Sequence, residues 1–240
     1  MQGLTLRAGQ EARNENPGIL KAMLTRLKLP PAIFFAVACV VTAQSNRFTG
    51  IVHPSLSPFE FRVHIDDKKD GMTEGFRAID SVEVRSAGRP VQTIRFAGEE
   101  TPIFRGPWKE VVSLRDVDCD GYKDLLVQIS VGIHGDAWYH LYRFNQARSL
   151  FVEYPRFSSL PLKKIDCRNK LVVTYVNSGA AGCAYESGTY RWVDGELLPV
   201  RIESQEIATD GFTRVVSTWS NGKETIVKER VDGDDCHRAN

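Results

Sequence analysis

Four aspartates, Asp116, Asp118, Asp120 and Asp124, stand within nine residues around Gly121 in the stretch RDVDCDGYKDLLV, residues 115–127. An apolar run follows at once, so the chain is drawn toward a core just where its charge is densest. Carboxylates held this close repel one another unless a cation joins them. Counting Asp116 as position 1 puts aspartates at positions 1, 3, 5 and 9, glycine at 6 and Tyr122 at 7, which are the oxygen positions of a calcium loop. The glycine permits the sharp turn. Position 7 contributes a backbone carbonyl, which leaves its side chain free to be tyrosine. The expected ligand set is therefore Asp116, Asp118, Asp120, the carbonyl of Tyr122, and Asp124, with Ca2+ as the cofactor. Val127 occupies position 12, where a helix–loop–helix EF-hand needs a bidentate glutamate, and the residues after Asp124 read as strand. The loop is thus not an EF-hand. The plain alternative is an acidic surface turn with no metal.

No other constellation assembles chemistry. The sequence has no GxSxG, no HExxH and no phosphate-binding glycine loop. Its histidines, His53, His64, His134, His140 and His237, are scattered. His134-Gly135-Asp136 comes nearest to an acid–base pair, but an isolated histidine at a strand end is usually solvated or hydrogen-bonded. The expected class is a binding module and not an enzyme. Basic and acidic residues balance at 31 against 30 with no basic stripe, which argues against a nucleic-acid partner.

The N-terminal segment reads as a leader. Residues 1–22 are polar and patternless. From Met23 onward, Arg26 and Lys28 supply a positive region, Ala32 to Val41 an apolar run, and Val41-Thr42-Ala43 a small-residue exit, the pattern of a secretory signal peptide. The apolar run is too short to span a bilayer. Residues 1–43 are assigned as extension and signal, 44–58 as a loose lead-in, and 59–240 as one β-rich calcium-binding domain in the periplasm or outside the cell. Ala36-Val37-Ala38-Cys39 also resembles a lipoprotein box, which would make Cys39 a lipid anchor. With Cys39 in the leader, Cys119, Cys167, Cys183 and Cys236 remain, an even number in an exported chain. Four cysteines allow three pairings. The expected ones join Cys167 to Cys183 across a strand and its turn, and Cys119 to Cys236 of the tail.

The elements that must position the acidic loop are strands. Phe59, Phe61, Val63 and Ile65 alternate with polar residues, and Trp138, His140, Tyr142 and Phe144 oppose Tyr139, Leu141 and Arg143. Asp194-Gly195 and Ser220-Asn221-Gly222-Lys223 mark two hairpins. Turns recur every eight to twelve residues with no long amphipathic stretch; one short helix is expected near residues 158–164. The fold class is all-β, mainly antiparallel, a single β-sandwich or propeller-like domain with at most one or two short helices.

DVDCDGYKDLLV resembles the calcium loop of FG-GAP and VCBS repeats, although a propeller needs several copies and this chain has one. The closer resemblance covers most of residues 108–204, to exported bacterial proteins with a single such loop. Its carriers are Asp116 to Val127, the aromatic strand Trp138 to Phe144, Ser149 to Tyr154, and the hairpin Tyr190-Arg191-Trp192-Val193-Asp194-Gly195-Glu196-Leu197. One type in that family is a calcium-dependent periplasmic immunity protein against a lysozyme-like effector, with a fold similar to invertebrate-type lysozyme inhibitors. The resemblance implies a peptidoglycan hydrolase as partner. Those inhibitors carry an S-G-x-Y motif, matched by Ser187-Gly188-Thr189-Tyr190. If residues 178–190 form an exposed loop, Tyr185, Ser187, Gly188 and Tyr190 are the partner-binding residues. The plain alternative places Tyr190 and Trp192 in the core. The other functional reading is a calcium-stabilised structural or adhesion module without inhibitory activity.

Overall fold

A computed structural model describes residues 46–66, 75–98 and 101–232. The expected signal segment, Cys39 and Cys236 lie outside these residues, as do most of the acidic turns at 66–71 and 232–235. All described residues belong to one unit that begins at Gln44. Among them no helix is long and apolar enough to cross a membrane.

The architecture is all-β and antiparallel, in three sheets. The first sheet holds β1 (Arg47–Gly50), β2 (Phe59–Asp66), β3 (Arg77–Ser86) and β4 (Arg89–Arg95) in that order, with the short β5 (Ile103–Phe104) paired to β3. The second runs β6 (Val112–Arg115), β7 (Asp124–Val131), β8 (Ala137–Asn145), β9 (Leu150–Glu153). The third is a six-stranded meander of β10 (Leu162–Asp166), β11 (Leu171–Gly179), β12 (Ala184–Val193), β13 (Glu196–Ala208), β14 (Gly211–Ser220) and β15 (Lys223–Val231). The helical pieces are single 3-10 turns. One of them, Pro155–Ser159, overlaps only the first two residues of the short helix expected near 158–164, and the rest of that stretch leads into strand, since β10 begins at Leu162.

The second sheet is the middle layer. Leu125, Val127, Tyr142 and Phe144 point into one core with Phe59, Phe61, Val82 and Val84 of the first sheet. Leu126 and Leu141 point into another with Val172, Tyr190, Trp192 and Leu197 of the third. A strand covered on both faces has no wet side, which is why Leu125-Leu126-Val127 is a continuous apolar run and not an alternation. All three residues are fully buried.

Two expectations are corrected here. The lead-in is not loose: β1 pairs with β2 over Arg47–Gly50, Val52 is 1% exposed, and the Lys123 N–H donates to the Val52 carbonyl at 2.9 Å. Its apolar residues have a core to enter, and that core holds the segment. Nor do residues 178–190 form one exposed loop. The turn is confined to Ala180–Gly182, and Ala184–Val193 is strand. Period-2 alternation then decides every side chain. Gly188, Tyr190 and Trp192 face the core, whereas Tyr185 and Ser187 face outward and are half-buried.

Gly188 is where this packing is tightest. A Cβ there would lie 2.5 Å from Thr174 Oγ1 and 2.5 Å from the Tyr190 ring. Gly188→Ala is expected to destabilise by about 1–3 kcal/mol through overpacking. Urea unfolding should show a lowered midpoint with an unchanged slope; an unshifted midpoint would mean that the Tyr190 ring does not lie over this glycine.

Candidate metal centre

The loop between β6 and β7 begins as its sequence requires. Gly121 has φ 95°, and nothing lies within 4 Å of where its Cβ would be, so the demand for glycine is conformational and not steric. The carboxylates fold inward by capturing backbone N–H groups of their own loop. Asp116 accepts from Asp120 N at 3.2 Å and Gly121 N at 3.1 Å, and Asp120 accepts from Tyr122 N at 2.8 Å. Asp118 Oδ1 accepts a longer bond from Asp120 N at 3.3 Å. One oxygen from each of Asp116, Asp118 and Asp120 then lies within 4.8 Å of the others, a group that can hold a metal ion. Partial burial, with Asp118 and Asp116 adjacent, pushes the Asp120 carboxyl above its ordinary range.

Three anchors fix the loop to the layers around it. Arg143, from β8, donates to Asp118 Oδ2 through Nε at 2.6 Å and pairs through Nη2 at 2.5 Å. Its Nη1 reaches the Gly195 carbonyl at 2.9 Å, and the guanidinium lies 4.9 Å from the Trp192 ring centroid. Trp192 donates its indole N–H to the Val117 carbonyl at 2.8 Å. Cys119 is bonded to Cys167, on the turn between β10 and β11, with Cα atoms 5.1 Å apart. The loop is thereby joined to the third sheet by a charge, a hydrogen bond and a covalent link. Tyr122 completes the hold on the opposite side, where its ring stacks on Phe144 at 5.6 Å and on His53 at 4.4 Å.

This disulfide replaces both expected pairings. Cys167 does not meet Cys183, and Cys119 does not meet Cys236; Cys183 is buried and is itself disulfide-bonded. Local strand geometry had pointed Cys167 across its own hairpin, but docking of the third sheet on the second brings it to the acidic loop instead. Closing a loop of 48 residues stabilises by about 4 kcal/mol in the chain-entropy model. With both sulfurs committed, neither cysteine offers a thiolate, and the donors left in the group are carboxylate oxygens.

Asp124 stands apart from the other three carboxylates. It opens β7 with 1% exposure, and its two oxygens accept the N–H groups of Val117 and Phe144, each at 2.9 Å. Burial, reinforced by the charge of Asp118, pushes it up to about 7, while the two N–H groups act in the opposite direction. Its role in this geometry is to clamp the loop to β8. Of the expected partner-binding residues, Tyr185 donates its hydroxyl proton to Glu203 at 2.6 Å and stacks on Tyr175 at 6.0 Å. Tyr190 and Gly188 lie beneath that face, in the core. Sequence reasoning missed Arg143, Trp192 and Tyr175; for Arg143 the available signal was a lone charge on the strand face otherwise holding Tyr139 and Leu141.

Neither a protein-family model nor a curated protein matches the chain. Among solved structures the fold is similar to that described as a Xanthomonas type IV secretion system related protein, at 15% identity and a TM-score of 0.53. The match covers 78% of this chain and 95% of that one.

The clamp generates a test that separates it from ligation. Asp124→Asn turns one acceptor into a donor that faces a buried backbone N–H, and leaving that group unpaired costs about 1–3 kcal/mol. The loss should appear in full in the presence of chelator. A variant as stable as the parent without metal would remove the clamp role.

Proposed function

We propose that this is an exported calcium-binding protein that binds and inhibits a peptidoglycan hydrolase, acting by occlusion and not by catalysis. The observation that carries the reading is the tie between the acidic group and the third sheet through Arg143, Trp192 and Cys119–Cys167. A metal held by Asp116, Asp118 and Asp120 would stiffen the loop that these anchors grip, and with it the sheet that carries Tyr175, Tyr185 and Ser187. The donor set favours calcium. All its atoms are hard oxygens, and the two cysteines beside them are oxidised, which leaves no soft ligand for zinc. A disulfide in the loop itself fits an oxidising compartment.

Inhibition is supported by two likenesses. The loop and the Tyr190–Leu197 hairpin resemble those of calcium-dependent immunity proteins, and the fold is shared with a protein described as related to a type IV secretion system. On this reading the partner meets the outward-facing residues around Ser187-Gly188-Thr189-Tyr190, and not the whole motif. Ser187 and Tyr185 are on the outer face, and Tyr175 joins them as a stacked neighbour, with the Lys163 ammonium 5.5 Å from its ring. Gly188 and Tyr190 support this platform from below.

The calcium claim is checked by melting curves. Calcium at a hundredfold excess over its dissociation constant, which for extracellular sites is on the order of 10⁻⁴ to 10⁻³ M, should stabilise by about 2.7 kcal/mol. Asp116→Ala or Asp120→Ala should abolish the shift. Curves indifferent to calcium and chelator would refute it.

The inhibition claim is checked by clearing of cell-wall suspensions with lysozyme-type hydrolases and the mature protein. Truncating an aromatic anchor at an interface centre costs at least about 2 kcal/mol, roughly thirtyfold in affinity. Tyr185→Ala and Tyr175→Ala should lose inhibition by about that factor with only a small fall in melting temperature, whereas Tyr190→Ala, which empties a core position, should lower it much further. If the wild-type protein slows no peptidoglycan hydrolase, inhibition is wrong and a calcium-stabilised structural module is the reading left.

A further inference from the structure

The third sheet ends in an open edge. β15, Lys223–Val231, is paired to β14 on one side, and among the described residues no strand pairs its other side. It is exposed along nearly its whole length, with Ile226 at 62% and Val227 at 54%. A long exposed edge with apolar residues at its centre is a template for another strand, unless its charges repel every comer.

Which backbone groups the edge offers follows from the turn. Asn221 and Gly222 both have positive φ, as a two-residue type I′ hairpin requires, and Ser220 pairs with Lys223 at its mouth. In such a hairpin the closing residues exchange hydrogen bonds, and exchange recurs at every second residue. The register from Ser220↔Lys223 to Phe212↔Val231 has no shift. Lys223, Thr225, Val227 and Glu229 therefore turn their N–H and C=O toward β14, while Glu224, Ile226 and Lys228 turn theirs to the open edge.

The side chains of this edge are a charge palindrome. Antiparallel pairing of β15 with a second β15 about Ile226 sets Lys223 against Glu229, Glu224 against Lys228, Thr225 against Val227 and Ile226 against itself. Over residues 223–229 each charge meets its opposite and the apolar centre is closed, while Arg230 falls opposite Gly222 and is held by Asp210 of its own chain. The pairs that must exchange backbone hydrogen bonds, Ile226 with Ile226 and Glu224 with Lys228, are those whose groups point outward. Neighbouring registers lose this match: centring on Thr225 puts Glu224 against Ile226, and centring on Val227 puts Lys228 against Ile226. Opposite charges directly across a ladder stabilise, and like charges destabilise. Among the described residues, Lys223, Glu224 and Lys228 have no ion-pair partner in their own chain, whereas Glu229 is held by Arg214 across the β14–β15 pair.

We propose that β15 is a self-association edge, and that two copies of this chain pair through it, antiparallel about Ile226, to join their third sheets into one continuous sheet across a two-fold axis. Both edges are removed from water by the same contact. The edge contact needs neither the metal nor inhibition: among the described residues β15 pairs with β14 alone, and it reaches the Tyr175–Tyr185 face only through Glu229, which holds Arg214 beside the Glu203 that accepts the Tyr185 hydroxyl.

The palindrome supplies its own test. Sedimentation equilibrium of the purified protein from micromolar to near-millimolar concentration should show a monomer–dimer equilibrium. K223E/K228E places four like-charge pairs in the ladder and should weaken the dimer at least about tenfold. E224K/E229K should do the same, with its melting curve checking that losing the Glu229–Arg214 pair leaves the fold intact. Mixed one to one, the two variants should recover a heterodimer, because every pair again joins opposite charges. A wild-type protein monomeric throughout, variants that dimerise as wild type, or a mixture that stays monomeric would each overturn the proposal.

Discussion

Everything around the acidic loop depends on Asp124. Its carboxylate is buried at the start of β7, in the middle layer, and each of its oxygens accepts a backbone N–H, one from the loop and one from β8. A buried carboxylate is costly unless hydrogen-bonded, and here both oxygens are bonded. The same two bonds fix where the loop leaves β6 and how it lies against β8. This hold on the C-terminal side of the loop adds to the intraloop bonds that draw Asp116, Asp118 and Asp120 together.

The charges that remain are divided by position. Asp118, 7% exposed, gives one oxygen to Arg143 and keeps the other toward the acidic group. Arg143 is in turn held by Gly195 and Trp192, so a single guanidinium links the loop, the middle sheet and the β12–β13 hairpin. The disulfide adds a covalent route between the same layers. These contacts tie the loop to the third sheet, whose outer face carries Tyr175, Tyr185 and Ser187.

Much of this was legible in the residues. The DxDxDG spacing located the loop, Asp194-Gly195 and Asn221-Gly222 located two hairpins, and alternation in Phe59–Ile65 and Trp138–Phe144 identified β2 and β8. The parity of β12 was also available: Gly188, Tyr190 and Trp192 share one face, so a motif containing Gly188 and Tyr190 could not be wholly exposed in a strand. Other features were not legible because they arise from layer packing. Cys167 meets Cys119 only when the third sheet docks on the second, a relation between segments 48 residues apart that no local spacing encodes. Asp124 resembles a ligand by position, and its clamping bonds to Val117 and Phe144 were not legible because they arise from the strand that carries it being covered on both faces. Arg143 was passed over although it is a charge on an otherwise apolar strand face, and its partner could be named only once β8 and the loop were seen side by side.

The central claim is that Asp116, Asp118 and Asp120 hold a calcium ion while Asp124 and Arg143 keep their structural contacts. A crystal structure grown in millimolar calcium, with anomalous scattering used to place the ion, tests it most directly. The account predicts one calcium coordinated by those three carboxylates, with Asp124 still bound to the N–H groups of Val117 and Phe144 and Asp118 still paired with Arg143. No anomalous peak in the loop, or an ion coordinated elsewhere, would contradict it.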